Sequence, residues 1–237
     1  MSSKIQGARE RARGEITAAI KAEALRQLAA EGAARLSLRA VARELGMVSS
    51  ALYRYFPSRD DLLTALIIDS FDAVGAAAEE ALAAAESVAD SHFARWQAVC
   101  RAVRGWALEH PHEYALIYGS PVPGYAAPQS TVGPAARVGL ALFAIVRDAH
   151  DSGALRGIPL SSAAPGPVLR DAEALVARLG VRLPPAVAAE LVVAWSQLFG
   201  LISFELFGQF TNVVEAREQF FAHAADRLAD QVGLGGG

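Results

Sequence analysis

At 237 residues the chain is long enough for one large domain or two smaller ones with a real core, and its wealth of Ala, Leu, Glu and Arg with few β-branched runs favours an all-α protein. The net charge of −3 taken alone speaks against a nucleic-acid partner, yet residues 1–59 hold eleven Lys/Arg against five Asp/Glu, and residues 60–237 hold eleven against twenty. A basic head on an acidic body is the asymmetry of a DNA-binding domain attached to a part that should not bind DNA. The single cysteine, Cys100, excludes an intrachain disulfide and suits a reducing cytoplasm, and the polar start MSSKIQGARERARGE lacks the apolar run of a secretory signal.

Residues 1–13 read as a mobile basic arm carrying Lys4, Arg9, Arg11 and Arg13. The stripe Ile16, Ile20, Ala24, Leu28 predicts a first helix over about residues 15–31, stopped by Gly32. Ser37 is placed to cap a second helix through Val41, Ala42 and Leu45, and Gly46 supplies a turn residue able to take positive φ. A third, short helix follows over about residues 49–56. Its Leu52 and Phe56, spaced i, i+4, anchor it inward and leave Ser49, Ser50, Tyr53 and Arg54 to point elsewhere. Pro57 stops it, and Ser58 with Asp61 forms a capping box for a longer helix carrying Leu62, Leu66 and Ile67 towards an Ala-rich stretch.

Further on, Phe93, Trp96, Cys100, Val103 and Ala107 share one face of a helix over about residues 89–109, broken at His110 and Pro111. A short helix through Tyr114, Ile117 and Tyr118 precedes a loop over residues 120–134 whose four prolines exclude a regular element. Helices are expected over about residues 135–150 and 169–179, with a Pro/Ser/Gly break at 157–167 between them, and two final ones over about 185–210 and 214–232 before a flexible glycine tail, 233–237. Residues 188–210 are apolar enough to consider as a membrane span, but Glu190, Gln197, Glu205 and Gln209 and the lack of basic anchors make a buried core or interface helix the better reading, with no membrane partner.

Two short helices joined by a tight glycine turn are how a protein lays one helix in a major groove. Over roughly residues 20–63 the chain resembles the TetR family of bacterial transcriptional regulators. The resemblance rests on Ala42, on Leu45 with Gly46, and above all on the run LYRYFPSR at residues 52–59. One residue departs from the pattern. Where the family places a capping Ser or Thr two residues after the turn glycine, this chain has Val48, so Ser49 or Ser50 is expected to take over the cap. More weakly, WSQLFG at residues 195–200 resembles a Trp-His-Gly-type signature of one subgroup, with Phe199 where that pattern has histidine. The resemblance implies an all-α fold, with an N-terminal three-helix helix-turn-helix DNA-binding domain (residues 14–60) and a larger helical ligand-binding and dimerisation domain (residues 61–232). It also implies a homodimer that binds double-stranded operator DNA and responds to a small-molecule effector, and repression rather than activation.

The DNA-binding candidates are Ser37, Arg39, Ser49, Ser50, Ala51, Tyr53, Arg54, Tyr55 and Arg59. In the family the tyrosine at the place of Tyr53 contacts a phosphate; a ring filling the small core is the alternative. Arg39 reads guanine bidentately or stays a solvated arginine. Ser49, Ser50 and Ala51 permit close approach, Arg54 and Tyr55 are the larger groove-facing side chains, and Arg59 at a helix start is a phosphate clamp. The basic arm either reaches along the DNA or is an ordinary disordered terminus.

Phe93, Trp96, Cys100, Tyr114, Tyr118, Phe143, Trp195 and Phe199 are candidates for an effector pocket, because the family encloses a ligand between the corresponding helices; a solid aromatic core is the competing reading. The ligand would be apolar or aromatic, with Tyr114, Tyr118 or Gln197 as hydrogen-bonding groups. Leu191, Leu198, Ile202 and Leu206 on one C-terminal helix, and Phe220, Phe221 and Leu228 on the other, are expected at the dimer contact, since a helix apolar on two faces must bury both. No catalytic constellation, metal spacing or phosphate-binding glycine loop emerges, so neither an enzyme nor a cofactor is expected. The rivals are an effector-independent architectural DNA-binding dimer and a helical small-molecule-binding enzyme.

Overall fold

The computed structural model describes residues 2–87, 91–156 and 164–235, and all regular elements among the described residues are helical. In chain order they are α1 (Ser2–Glu31), α2 (Leu38–Glu44), α3 (Ser49–Leu52), α4 (Arg59–Glu86), α5 (His92–Glu109), α6 (Pro111–Tyr118), α7 (Val132–Asp151), α8 (Gly166–Leu179), α9 (Pro185–Leu206) and α10 (Arg217–Gln231). Two 3-10 turns, Ala33–Arg35 and Gln129–Thr131, complete the set. The chain divides into two compact units, Met1–Phe71 with His110–Val132, and Asp72–Glu109 with Gly133–Gly237. Helix α4 contributes to both.

The first unit is built on the stripe of α1 that the sequence marks: Ile20, Ala24 and Leu28 are buried against Leu38, Val41, Leu52, Phe56 and Leu62. Helix α1 begins at Ser2 rather than near residue 15, so the segment read as an arm is helical. The weakest helix formers there are Gly7 and Gly14, each costing about 1 kcal/mol against alanine, and they are set among the good helix formers Arg, Glu, Gln and Ala. The side chain of Lys4 lies outside the described residues. Capping follows expectation at two of three starts. The Ser37 hydroxyl accepts from the Ala40 N–H at 3.4 Å, and Ser58 accepts from the Asp61 N–H at 3.1 Å while donating to its carboxylate at 2.7 Å. Gly46 takes φ 63° at the turn.

This unit reaches beyond residues 14–60 because α6 and the proline-rich segment fold back onto it. Leu116, Val122 and Tyr125 pack on its core, the Tyr125 and Thr64 hydroxyls are 2.9 Å apart, and Tyr118 meets Phe71 edge-on at 5.8 Å. That segment is irregular up to Gln129, but Pro134 sits in the first turn of α7, where its missing N–H has no helical acceptor to lose.

In the second unit α5 is fastened to α10 by two hydrogen bonds: the Trp96 indole N–H donates to the Ala225 carbonyl at 3.0 Å, and Gln97 donates to Asp226 at 2.6 Å. Arg104 of α5 grips Glu205 of α9 through two bonds of 2.8 and 2.7 Å, and its guanidinium lies 5.2 Å from the Phe221 ring centre. Helices α7 and α9 are long and apolar enough to cross a bilayer, but each sends a stripe into the unit's own core: Leu142 and Val146 from α7, Leu191, Leu198 and Ile202 from α9. The glycine-rich end is docked where it is described. Arg156 N–H donates to the Gly233 carbonyl at 2.9 Å, Leu234 N–H donates to Ala229 at 2.8 Å, and Leu234 is buried. Gly236, Gly237 and residues 157–163 of the expected break lie outside the described residues.

Candidate nucleic-acid interface and apolar grooves

Helix α3 is presented by its own anchors. Leu52 is fully buried and Phe56 nearly so, which turns the intervening Tyr53 and Arg54 outward; Tyr53 is 41% exposed. Regular α-geometry ends at Leu52, and the segment to Phe56 continues as tight turns, with Tyr55 and Phe56 N–H groups both donating to the Leu52 carbonyl. Neither Ser49 nor Ser50 takes over the cap. Val48 is the N-cap residue with no side-chain bond, so the helix starts in the family's register after all, and no side chain caps its first N–H groups. Ser50 is exposed, and Ser49 and Ala51 are half-buried. Arg39, in the first turn of α2, and Arg54 are exposed, and among the described residues neither is engaged by a carboxylate.

Two predicted contacts are placed differently. Tyr55 packs on the head's core, with the Arg13 guanidinium 5.3 Å from its ring centre, so its face is taken by a cation–π contact. Arg59 turns back to donate to the Ala33 carbonyl at 2.8 Å and the Ala34 carbonyl at 3.4 Å, closing the 3-10 turn between α1 and α2. Its guanidinium ties the head together instead of standing free as a phosphate clamp. Val48 is a residue the sequence reading valued only as a missing cap. At 70% exposure it is the most exposed apolar side chain on the α2–α3 face, a fit for a thymine methyl.

The aromatic candidates separate. Trp96 and Cys100 are fully buried in the second unit, with the Trp96 N–H already bonded and burial pushing the Cys100 thiol far up, so both are core. Phe93 is half-buried on the first turn of α5. Tyr114 and Tyr118 belong to the first unit, their rings 5.0 Å apart; burial, and then Tyr114 itself, raises the Tyr118 phenol. Phe143 and Trp195 do come together. With Gly139, Leu140, Leu175 and Val192 they line a groove between α7, α8 and α9 of about 180 Å³, walled by apolar groups throughout. Phe199 is buried behind it, its ring 5.9 Å from Trp195. The wall from α8 was not foreseen, although the amphipathic run Leu175–Leu179 at i, i+4 is its signal.

The C-terminal pair is apolar on two faces, as expected, but the named residues divide between them. Leu191, Leu198, Ile202, Phe221 and Leu228 are buried in the chain's own core, and Leu206 is half-buried. The outer face is made instead by Val193, Phe204, Phe207 and Phe220, of which Phe204 is 52% exposed. Phe204, Phe210 and Phe220 form a T-stacked chain with centroid distances of 5.8 and 5.4 Å. They border a second groove, of about 550 Å³, between α9 and α10, which also takes in Gln197, so that residue does not serve the Phe143–Trp195 groove.

A basic three-helix head with a capped helix-turn-helix, joined through a long shared helix to an acidic helical body, defines a class of helix-turn-helix DNA-binding regulators. Residues 20–66 match the model of bacterial regulatory proteins of the tetR family, and residues 96–228 match the tetracyclin repressor-like C-terminal domain. The chain is 43% identical over 205 residues to the HTH-type transcriptional regulator Rv1816 of Mycobacterium tuberculosis, covering 86% of each chain, and equally to Mb1846 of Mycobacterium bovis. Its fold is similar to the crystal structure of a regulatory protein, SCO4313, with a TM-score of 0.72, 33% identity and coverage of 93% of this chain and 98% of that one. The protein belongs to the TetR family of transcriptional regulators, whose members bind DNA operators.

Proposed function

We propose that this protein is a homodimeric, cytoplasmic transcriptional repressor, not an enzyme, that leaves its operator when an apolar or aromatic small molecule enters the α7–α8–α9 groove. The observation that carries the DNA-binding part is the exposed row Arg39, Ser50, Tyr53 and Arg54, with Val48 beside it, on a head where Arg59 and Arg13 are engaged internally. In a two-fold dimer two such rows enter successive major grooves about 34–36 Å apart, or a multiple of that spacing. Tyr53 and Arg54 bind phosphates, Arg39 reads a base edge, and Val48 contacts a thymine methyl. The outer apolar face of α9 and α10 supports dimerisation, an isologous contact being the simplest closed way to bury it. The test is selection of genomic duplex fragments at low salt, followed by footprinting. A folded protein that retains no duplex would defeat this reading.

The effector part is supported by the groove of Phe143 and Trp195. Its lining has no charged side chain, so a charged ligand would lose its hydration without gaining a partner. The effector-independent architectural dimer draws its support from the full burial of Trp96 and Cys100 in the second unit. Trp195 separates the two. A compound that quenches its fluorescence and lowers operator affinity establishes regulation, because the two equilibria are reciprocally linked.

A further inference from the structure

One arginine in the second unit makes four hydrogen bonds to a single neighbouring helix. Arg137, in the second turn of α7, donates from Nε and Nη2 to the Glu79 carboxylate at 2.9 and 2.6 Å, and from Nη1 to both the carbonyl oxygen and the carboxylate of Asp72 at 2.9 Å. All four acceptors are on α4, spread over two turns. Gly75 lies between them and makes the approach possible, because a Cβ there would stand 2.7 Å from the Arg137 Cβ and 2.8 Å from its Nε. Surface ion pairs are ordinarily worth little. This one differs in reaching a backbone carbonyl and in lying flush on a glycine, so it fixes the position of α4 and not merely its charge.

The grip starts at Asp72, the first residue of the second unit, while α4 from Arg59 to Phe71 belongs to the first. On α7, Ala136, Gly139, Leu140 and Phe143 face the apolar groove, and Arg137 adjoins the first of them. One helix therefore forms a wall of the groove and holds the helix that leads into the DNA-binding head.

We propose that Arg137 is a positioning residue that couples filling of the α7–α8–α9 groove to the placement of α4, and through α4 to operator affinity. The proposal rests on the regulatory reading above. A molecule wedged between α7 and α9 displaces α7, and a bidentate guanidinium bonded to both carboxylate and carbonyl passes that displacement to α4 as a shift between discrete arrangements.

A groove-filling substitution replaces the unidentified effector in the test. Operator affinity is measured on the full-length protein with a duplex recovered by genomic selection, for wild type, Leu140→Trp, Arg137→Gln and the double variant, and for Gly75→Ala, whose new methyl displaces the guanidinium. Circular dichroism and thermal melting accompany each. Leu140→Trp should weaken the operator complex at least tenfold in the wild-type background and less than threefold in the Arg137→Gln or Gly75→Ala background, a non-additivity that measures the coupling. The salt slope should be the same for all, since no phosphate contact is lost. Arg104→Gln, which breaks an ion pair away from α4, should lower the melting temperature yet leave the effect of Leu140→Trp intact. Additive effects of Leu140→Trp and Arg137→Gln, or a reduced salt slope in Arg137→Gln, would overturn the proposal. A wild type that binds no duplex at all fails the operator reading instead, which separates the two failures.

Discussion

Leu52 and Phe56 decide where Tyr53 and Arg54 point, so substitutions at these neighbours should act in opposite ways. Leu52→Ala empties a fully buried site and should destabilise the head by about 2–5 kcal/mol, read by denaturant unfolding, with operator binding lost as a consequence. Tyr53→Phe should leave unfolding unchanged and weaken binding several-fold on all sequences, as expected for about 1 kcal/mol from one phosphate hydrogen bond. Arg39→Ala should cost about 1–3 kcal/mol and relax base choice at one operator position; equal loss on every sequence would make Arg39 a phosphate contact only. These outward positions were legible because i, i+4 spacing fixes which face a helix buries. Tyr55 and Arg59 were not, since Arg59 finds its acceptors at Ala33 and Ala34, more than twenty positions back in the chain, and no local spacing announces that.

At the scale of elements the sequence led us to expect a second apolar face on α9 and α10, but did not tell which residue belonged to which face. Helix α9 carries hydrophobic side chains nearly all round, and on α10 Phe220 and Phe221 are neighbours in sequence that face apart, so only packing assigns them. The assignment now predicts a contrast. Phe204→Glu, on the outer face, should give folded monomers in light scattering at micromolar concentration, whereas Ile202→Glu buries an unpaired charge in the chain's own core and should unfold it. A wild type that is already monomeric would defeat the dimer. The link between α7 and α4 has its own pH signature. Hydrogen bonding from Arg137 holds the Glu79 carboxyl below the usual range, against a smaller opposing effect of burial. Its contribution is therefore present at neutral pH and lost as pH falls through that lowered value. Glu79 is half exposed, so the effect is small: as pH falls below the ordinary carboxylate range, the melting temperature of wild type should converge on that of Arg137→Gln.

For the whole molecule, the split of charge between head and body was the most readable feature, and it governs how binding responds to salt. Each Lys or Arg seated on a phosphate releases a counterion, so log affinity should fall linearly with log salt with a slope of about −0.9 per phosphate contact. A slope near zero would mean that the basic head is not the binding surface. The helical class and the order of helices were legible from periodicity and breakers. The return of α6 and the proline-rich segment onto the head was not, because it depends on contacts such as Tyr125 with Thr64 between residues far apart in sequence. The docked end of the chain has a practical consequence for anyone attaching a label. Leu234 is buried, and Gly233 accepts from Arg156, so a dye or affinity tag joined directly after Gly235 would pull on a seated residue. Deleting residues 233–237 should lower stability by about 1.5–3 kcal/mol, the worth of burying one leucine. The opposite end is no safer as a handle, because α1 carries Arg13 against Tyr55, next in sequence to the exposed Tyr53 and Arg54. A probe meant to report without interfering belongs on an exposed side chain within the chain, such as Glu173 on α8, away from both the head and the seated end.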